Sequence, residues 1–112
     1  MTTDTTEINS LSAYQKALQG AVFVDLRERS DVEQFALDVP NLVIVPFSEF
    51  ECSFAVLPQD RDLVMICKGG GKSNWALQHL VTQGYTRVNN LQGGILQWVA
   101  NGLPVKGNVE AL

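Results

Sequence analysis

Runs of four apolar residues stand at positions 21–24, 42–45 and 63–66, each bounded by polar or turn-forming residues. Continuous apolar runs of this length predict strands, and those at 21–24 and 63–66 read as buried on both faces, since a half-buried strand would alternate apolar and polar positions. Arg87-Val88-Asn89-Asn90-Leu91 predicts a further strand, and Glu7-Ile8 a short edge strand. Between the strands the apolar spacing turns helical. Leu11, Tyr14, Ala17 and Leu18 mark the inward face of a helix capped by Ser10 and ended by Gly20. Trp75, Ala76, Leu77, Leu80 and Val81 mark a second helix, opened by Ser73 and closed by Gly84. Ile95, Leu96, Trp98 and Val99 mark a third, entered through Gln92-Gly93-Gly94 and ended by Asn101-Gly102. Ser30 predicts the cap of a short helix through Phe35. Residues 48–54 read equally as a short helix or an irregular loop.

Strands alternating with helices at this spacing predict an α/β domain. Its sheet is mostly parallel, with about five short strands and helices on both faces. The domain occupies residues 7–107, with 1–6 a flexible N-terminus and 108–112 a C-terminal tail. In such sheets functional groups collect beyond the carboxyl ends of the strands. Asp25 and Cys67 both follow apolar runs, so the topology predicts them as neighbours.

The stretch after Cys67, Lys68-Gly69-Gly70-Gly71-Lys72-Ser73, carries the candidate chemistry. Three glycines remove every Cβ and permit positive φ, so the backbone can curl and aim successive N–H groups at one point. The helix that follows adds partial positive charge at its N-terminus, and Lys68 and Lys72 add full charges. Each feature favours a thiolate over a thiol. Cys67 therefore reads as a nucleophile in an anion cradle.

Composition narrows the picture. A chain of 112 residues with 46% apolar content holds one domain with a real core. A net charge of −4, without any Lys/Arg run, argues against nucleic-acid binding. No apolar stretch approaches the roughly 20 residues that span a bilayer, so no membrane association is expected. The polar, acidic opening MTTDTTEINS resembles neither a signal nor a transit peptide. Two cysteines in such a chain suit a reducing, cytoplasmic setting rather than a structural disulfide. Nothing calls for a metal or an organic cofactor.

Taken together, the motifs resemble a single-domain rhodanese, a sulfurtransferase. The matching pieces are Val24-Asp25-Leu26-Arg27-Glu28, the loop from Cys67 to Ser73, Gly84-Tyr85-Thr86-Arg87-Val88, and Leu91-Gln92-Gly93-Gly94-Ile95-Leu96-Gln97-Trp98 followed by Gly102-Leu103-Pro104-Val105. The resemblance runs over residues 8–106. It implies that Cys67 takes a sulfane sulfur from thiosulfate or a persulfide such as glutathione persulfide. The sulfur then passes to cyanide or a thiol by ping-pong covalent catalysis. Backbone N–H groups from Lys68 through Gly69, Gly70, Gly71 and Lys72 to Ser73 would hold the persulfide anion. Lys68 and Lys72 would attract anionic donors and stabilise the departing charge. Ser73 would contribute a hydroxyl or cap the helix. Thioredoxin or another sulfur-carrier protein is an implied partner.

Two departures from the family pattern stand out. Lys72 occupies a position where Arg is common, replacing a guanidinium fork with a point charge and putting donor preference in question. Leu37-Asp38-Val39-Pro40-Asn41-Leu42 keeps only the proline of the usual Gly-His-Ile-Pro-Gly-Ala-like turn. Elsewhere plainer roles are expected. Asp25 ties the loop after its strand, through backbone or through Arg27, and Arg27 pairs with Glu28 or Asp31. Cys52 reads as core or bystander rather than a resolving thiol. His79, Trp75 and Trp98 read as packing.

Rival readings of the loop fail on spacing. A nucleotide-binding P-loop ending in Gly71-Lys72-Ser73 would need glycine at the position of Ile66. A cysteine phosphatase or arsenate reductase needs Arg six residues after the cysteine, where Ser73 stands. The loop is of a shorter type that suits a single sulfur atom. A sulfur-relay or protein-binding module with little turnover of its own is the remaining alternative.

Overall fold

The computed structural model describes residues 7–108 and 110, and the statements below concern those residues; the expected flexible segment 1–6 and most of the expected tail lie outside them. In chain order the elements are β1 (Glu7–Ile8), α1 (Ser10–Leu18), β2 (Val22–Asp25), α2 (Arg29–Gln34), β3 (Phe35–Leu37) and β4 (Leu42–Ile44). After these come α3 (Phe50–Ser53), β5 (Leu63–Ile66), α4 (Gly71–Thr82), β6 (Val88–Leu91), α5 (Gly94–Ala100) and β7 (Val105–Gly107).

Five strands form one parallel sheet in the order β1-β6-β5-β2-β4. Alternation along the apolar runs divides them between two cores. Val22, Val24, Leu63, Met65 and Val88 pack with Ala76, Leu77 and Leu80 of α4 and with Phe50. Phe23, Val64, Ile66 and Leu91 face the other way, against α1 and α5. The chain is thus a single α/β domain with helices on both faces, as the pattern predicts. The register pairs Asp25 with Ile66, so β2 and β5 release their chains side by side at the carboxyl edge.

Several local expectations are corrected. Asn9 caps α1, its side chain accepting from the Ser12 N–H at 2.8 Å, and Ser10 is already inside the helix and buried. The inward face is Ser10, Ala13 and Ala17, while Leu11 and Leu18 are 58% and 61% exposed. The cause is Trp98, fully buried with its ring edge-on to Tyr14 and Phe23. Beside so large a side chain, only small residues fit between α1 and the sheet. On α4 the buried set is Ser73, Ala76, Leu77 and Leu80, whereas Trp75 and Val81 are exposed, and on α5 Leu96 is exposed.

Helix α2 begins at Arg29 with Glu28 at its cap position, two residues before the expected cap Ser30, and ends before Phe35. Phe35 instead opens β3, which pairs antiparallel with β7 in a two-stranded sheet that the apolar pattern does not announce. The ambiguous stretch resolves into short helical turns: 3-10 turns at Phe47–Glu49 and Phe54–Val56 flank the single turn of α3.

Candidate active site

Strand β5 is buried on both faces, and Cys67 leaves the sheet directly after it, 6% exposed. The chain is then held from behind. The Cys67 carbonyl accepts from Ile95 N at 3.0 Å and the Lys68 carbonyl from Leu96 N at 3.1 Å, so the orphan N–H groups opening α5 find their partners in this loop. Such a close approach needs Gly94, whose φ is +63. A Cβ there would stand 2.5 Å from the Lys68 oxygen and 2.6 Å from the Cys67 oxygen.

The loop reverses at Gly70, φ +103, which caps α4. That turn aims the Gly70 N–H at Cys67 Sγ (3.0 Å), and the Ser73 N–H follows at 3.4 Å. Both donors belong to the opening of α4, where the helix dipole adds positive potential. Of the three glycines only Gly70 has positive φ; at Gly69 and Gly71 a Cβ would meet nothing within 4 Å. The expectation that all three free the backbone narrows to Gly70, because one left-handed residue suffices to turn its N–H onto the sulfur.

The helix opens at Gly71 with Gly70 at its cap position, so Ser73 lies inside it rather than capping it. Ser73 is fully buried at the third helical position, 3.3 Å from Cys67 Sγ. Its Oγ lies 2.5 Å from Asn90 Oδ1 and 3.2 Å from the Gly70 carbonyl. Asn90 on β6 is 3% exposed and is absent from the expected site. The signal for it was a polar residue near the carboxyl end of a strand between two others, where an unsatisfied amide costs free energy and so implies a partner.

Asp25 is fully buried, and its carboxylate accepts from the Arg27 N–H at 3.0 Å, from Nε at 3.1 Å and from Nη2 at 2.9 Å. Arg27 therefore pairs with Asp25 and not with Glu28 or Asp31. Asp25 is the buried carboxylate of the three, and the Arg27 fork also donates to the Phe35 carbonyl at 2.7 Å. That contact fixes the start of β3 as one wall of a cavity of about 550 Å³. Cys67, Lys68, Gly69, Gly71 and Lys72 form the opposite wall. Leu26, Phe35 and Phe47 make it partly apolar, and Glu28 and Asp31 add carboxylates on the side of α2. Lys72 rests over the Phe47 ring, Nζ 5.5 Å from its centroid.

Cys52 is exposed on α3 and, like His79, lies outside the cavity lining. The His79 ring stacks on Trp75 at 5.5 Å and meets Phe54 edge-on at 4.9 Å.

A family model described as Rhodanese-like domain matches residues 9–101. A sulfurtransferase from Allochromatium vinosum is 35% identical over 101 residues, covering 88% of this chain and 92% of the relative. The thiosulfate sulfurtransferase GlpE of Pseudomonas savastanoi pv. phaseolicola is 34% identical over 83 residues, covering 73% of this chain and 76% of that one. Among solved structures, a rhodanese-related protein from Thermoplasma volcanium superposes with a TM-score of 0.81 at 26% identity, over 89% of this chain and 96% of that one. This chain belongs to the rhodanese-like domain family, and its relatives place it with the sulfurtransferases of that family.

Proposed function

We propose that the protein moves a sulfane sulfur through a persulfide on Cys67. The observation that carries this reading is the sulfur's position. Sγ faces two backbone N–H groups at the mouth of a helix and lies on the wall of a cavity bearing two lysines. The Cys67 thiolate attacks the outer sulfur of the donor; the donor's S–S bond breaks, and sulfite or a thiolate leaves with the electron pair. Lys68 and Lys72 stabilise that leaving charge, and the N–H groups of Gly70 and Ser73 stabilise the anion on the enzyme. Cyanide or an acceptor thiolate then attacks the terminal sulfur and departs as thiocyanate or a new persulfide, restoring the Cys67 thiolate.

The cavity is roomier than thiosulfate requires, and it combines cations, carboxylates and apolar wall. Those features support an organic persulfide, with glutathione persulfide a fitting example, as the better donor. Both cysteines are free thiols, which supports a reducing, cytoplasmic setting, and among the described residues no helix is long and apolar enough to cross a membrane. The test is intact mass before and after thiosulfate or glutathione persulfide. The expected result is a gain of about 32 Da, one sulfur atom, that cyanide removes and that Cys67→Ser abolishes. No adduct with either donor would refute the reading and leave a binding module whose lysines form a docking surface.

A further inference from the structure

We propose that Asn90 is a positioning residue that decides where the Ser73 hydroxyl proton points, and thereby makes Cys67 the donor rather than the acceptor in its contact with Ser73. This rests on the reading of Cys67 as the nucleophile. Ser73 and Asn90 are 0% and 3% exposed, so their hydrogen bonds must be met chiefly by the groups packed around them. Asn90 Nδ2 faces Glu7 Oε2 at 2.8 Å and the Gly70 carbonyl at 3.4 Å. Both are acceptors, so the amide cannot be turned over: a flip would set Oδ1 against a carboxylate and a carbonyl. Oδ1 therefore points at Ser73, and its 2.5 Å contact requires the Ser73 hydroxyl to donate.

A serine hydroxyl has one proton. With that proton on Asn90, Ser73 turns a lone pair towards Sγ at 3.3 Å, and the Cys67 thiol donates to it. The resting thiol thus has an acceptor, and a thiolate has the two backbone N–H groups but not the hydroxyl. To support the anion, Ser73 must rotate its proton to sulfur and leave Asn90 Oδ1 buried without a donor, which costs free energy. Ionisation of Cys67 and rotation of the Ser73 hydroxyl are coupled, and the coupling runs through Asn90 to Glu7 on the outer strand β1.

The test is the pH dependence of Cys67 alkylation by iodoacetamide, followed by mass on the full chain in a Cys52→Ser background. Replacing the amide, Asn90→Leu, leaves the Ser73 proton a choice between the Gly70 carbonyl, 3.2 Å away, and sulfur; a thiolate is the stronger acceptor, so the pH of half-maximal alkylation is expected to fall, by up to roughly 0.5–1 unit. Glu7→Ala, at an exposed residue outside the packed interior, removes the anchor of the amide and is expected to shift the midpoint the same way by less. It decides the matter if Asn90→Leu does not fold. Both shifts are expected to vanish when Ser73→Ala is added. The cavity charges beside Sγ (Arg27, Glu28, Asp31, Lys68 and Lys72) are common to all variants, so they cancel in the comparison. A midpoint that stays or rises, or a shift that survives Ser73→Ala, overturns the proposal. Failure of the persulfide reading would show separately, as no sulfur adduct on a protein whose alkylation profile still moves as stated.

Discussion

Replacing Gly94 by Ala adds one methyl group where the α5 turn meets the loop of Cys67. At φ +63 a residue with a Cβ costs about 1–2 kcal/mol more than glycine. The new Cβ would stand 2.5 Å from the Lys68 oxygen, about 1 Å inside ordinary contact. The atoms it meets are backbone, so no side chain can swing aside. The loop must retreat, stretching the bonds from Ile95 N to Cys67 O and from Leu96 N to Lys68 O, now 3.0 and 3.1 Å. Losing them costs about 0.5–1.5 kcal/mol each. The expected total is about 2–5 kcal/mol, a large share of the 5–15 kcal/mol typical of a whole domain. Gly71→Ala is the control: nothing lies within 4 Å, φ is not positive, and the position opens a helix. It should stay within about 1 kcal/mol of the parent, on the stabilising side. Urea unfolding at unchanged slope reads both values. A loss below 1 kcal/mol in Gly94→Ala, or an equal loss in Gly71→Ala, would refute the account of why two of these neighbouring glycines differ.

Gly70→Val should cost only about 1–2 kcal/mol of stability, because its Cβ would meet Gly93 N and Leu91 O at an ordinary 3.8 Å. The chain relieves the φ strain by swinging the Gly70 N–H off sulfur, so persulfide formation should fall at least tenfold in a stopped-time mass assay, and an unfolded variant would show the loop to be scaffold. Asp25→Ala leaves a guanidinium that is only 10% exposed without its partner, and should cost about 3–5 kcal/mol in thermal or urea unfolding. Lys72→Gln should raise KM for thiosulfate several-fold and weaken the salt dependence of kcat/KM, as expected for loss of a steering charge. Burial pushes the Asp62 carboxyl up, but hydrogen bonds and charge from Arg87 and Lys16 outweigh it and hold the group below its ordinary 3.8. A lowered carboxylate pKa stabilises above the unfolded value and is lost as pH falls through the folded one. Asp62→Asn should therefore lower stability at neutral pH and flatten its decline below about pH 4, and parallel pH–stability curves would contradict this.

What could be read from the chain follows from how locally each feature is determined. The strands β2 and β5 were legible because burial on both faces demands continuous apolar runs, here at 21–24 and 63–66, although β2 takes in the buried Asp25 in place of Ala21. The Cys67 loop was legible because strand, glycine turn and helix start are contiguous. The β3–β7 pair was not, since Phe35-Ala36-Leu37 continues a helical pattern and its partner lies some 70 residues away. The phase of α1 was misread because Asn9 and Ser10 are both good caps, and the choice between them is made by Trp98 from the far end of the chain. Asn90 and Gly94 belong to the same class of miss: each serves the loop from a distant element. Arg27 had three carboxylates within reach in sequence; Asp25 to Arg27 was one expected tie, and the structure selects it over Glu28 and Asp31 through a local bond to the buried carboxylate.

The backing of the loop by α5 and β6 has a consequence for how the molecule comes into being. Cys67 is synthesised well before the groups that shape its surroundings, Asn90 in β6 and the N–H groups of Ile95 and Leu96. A nascent chain that has released β5 but not yet α5 therefore lacks the donors that hold the Cys67 and Lys68 carbonyls. The two N–H donors to sulfur come from the loop and α4 themselves, but the groups that hold the loop from behind arrive last in the chain. Amide exchange at Ile95 and Leu96 should thus track the fraction of molecules in which the Cys67 loop is backed by α5.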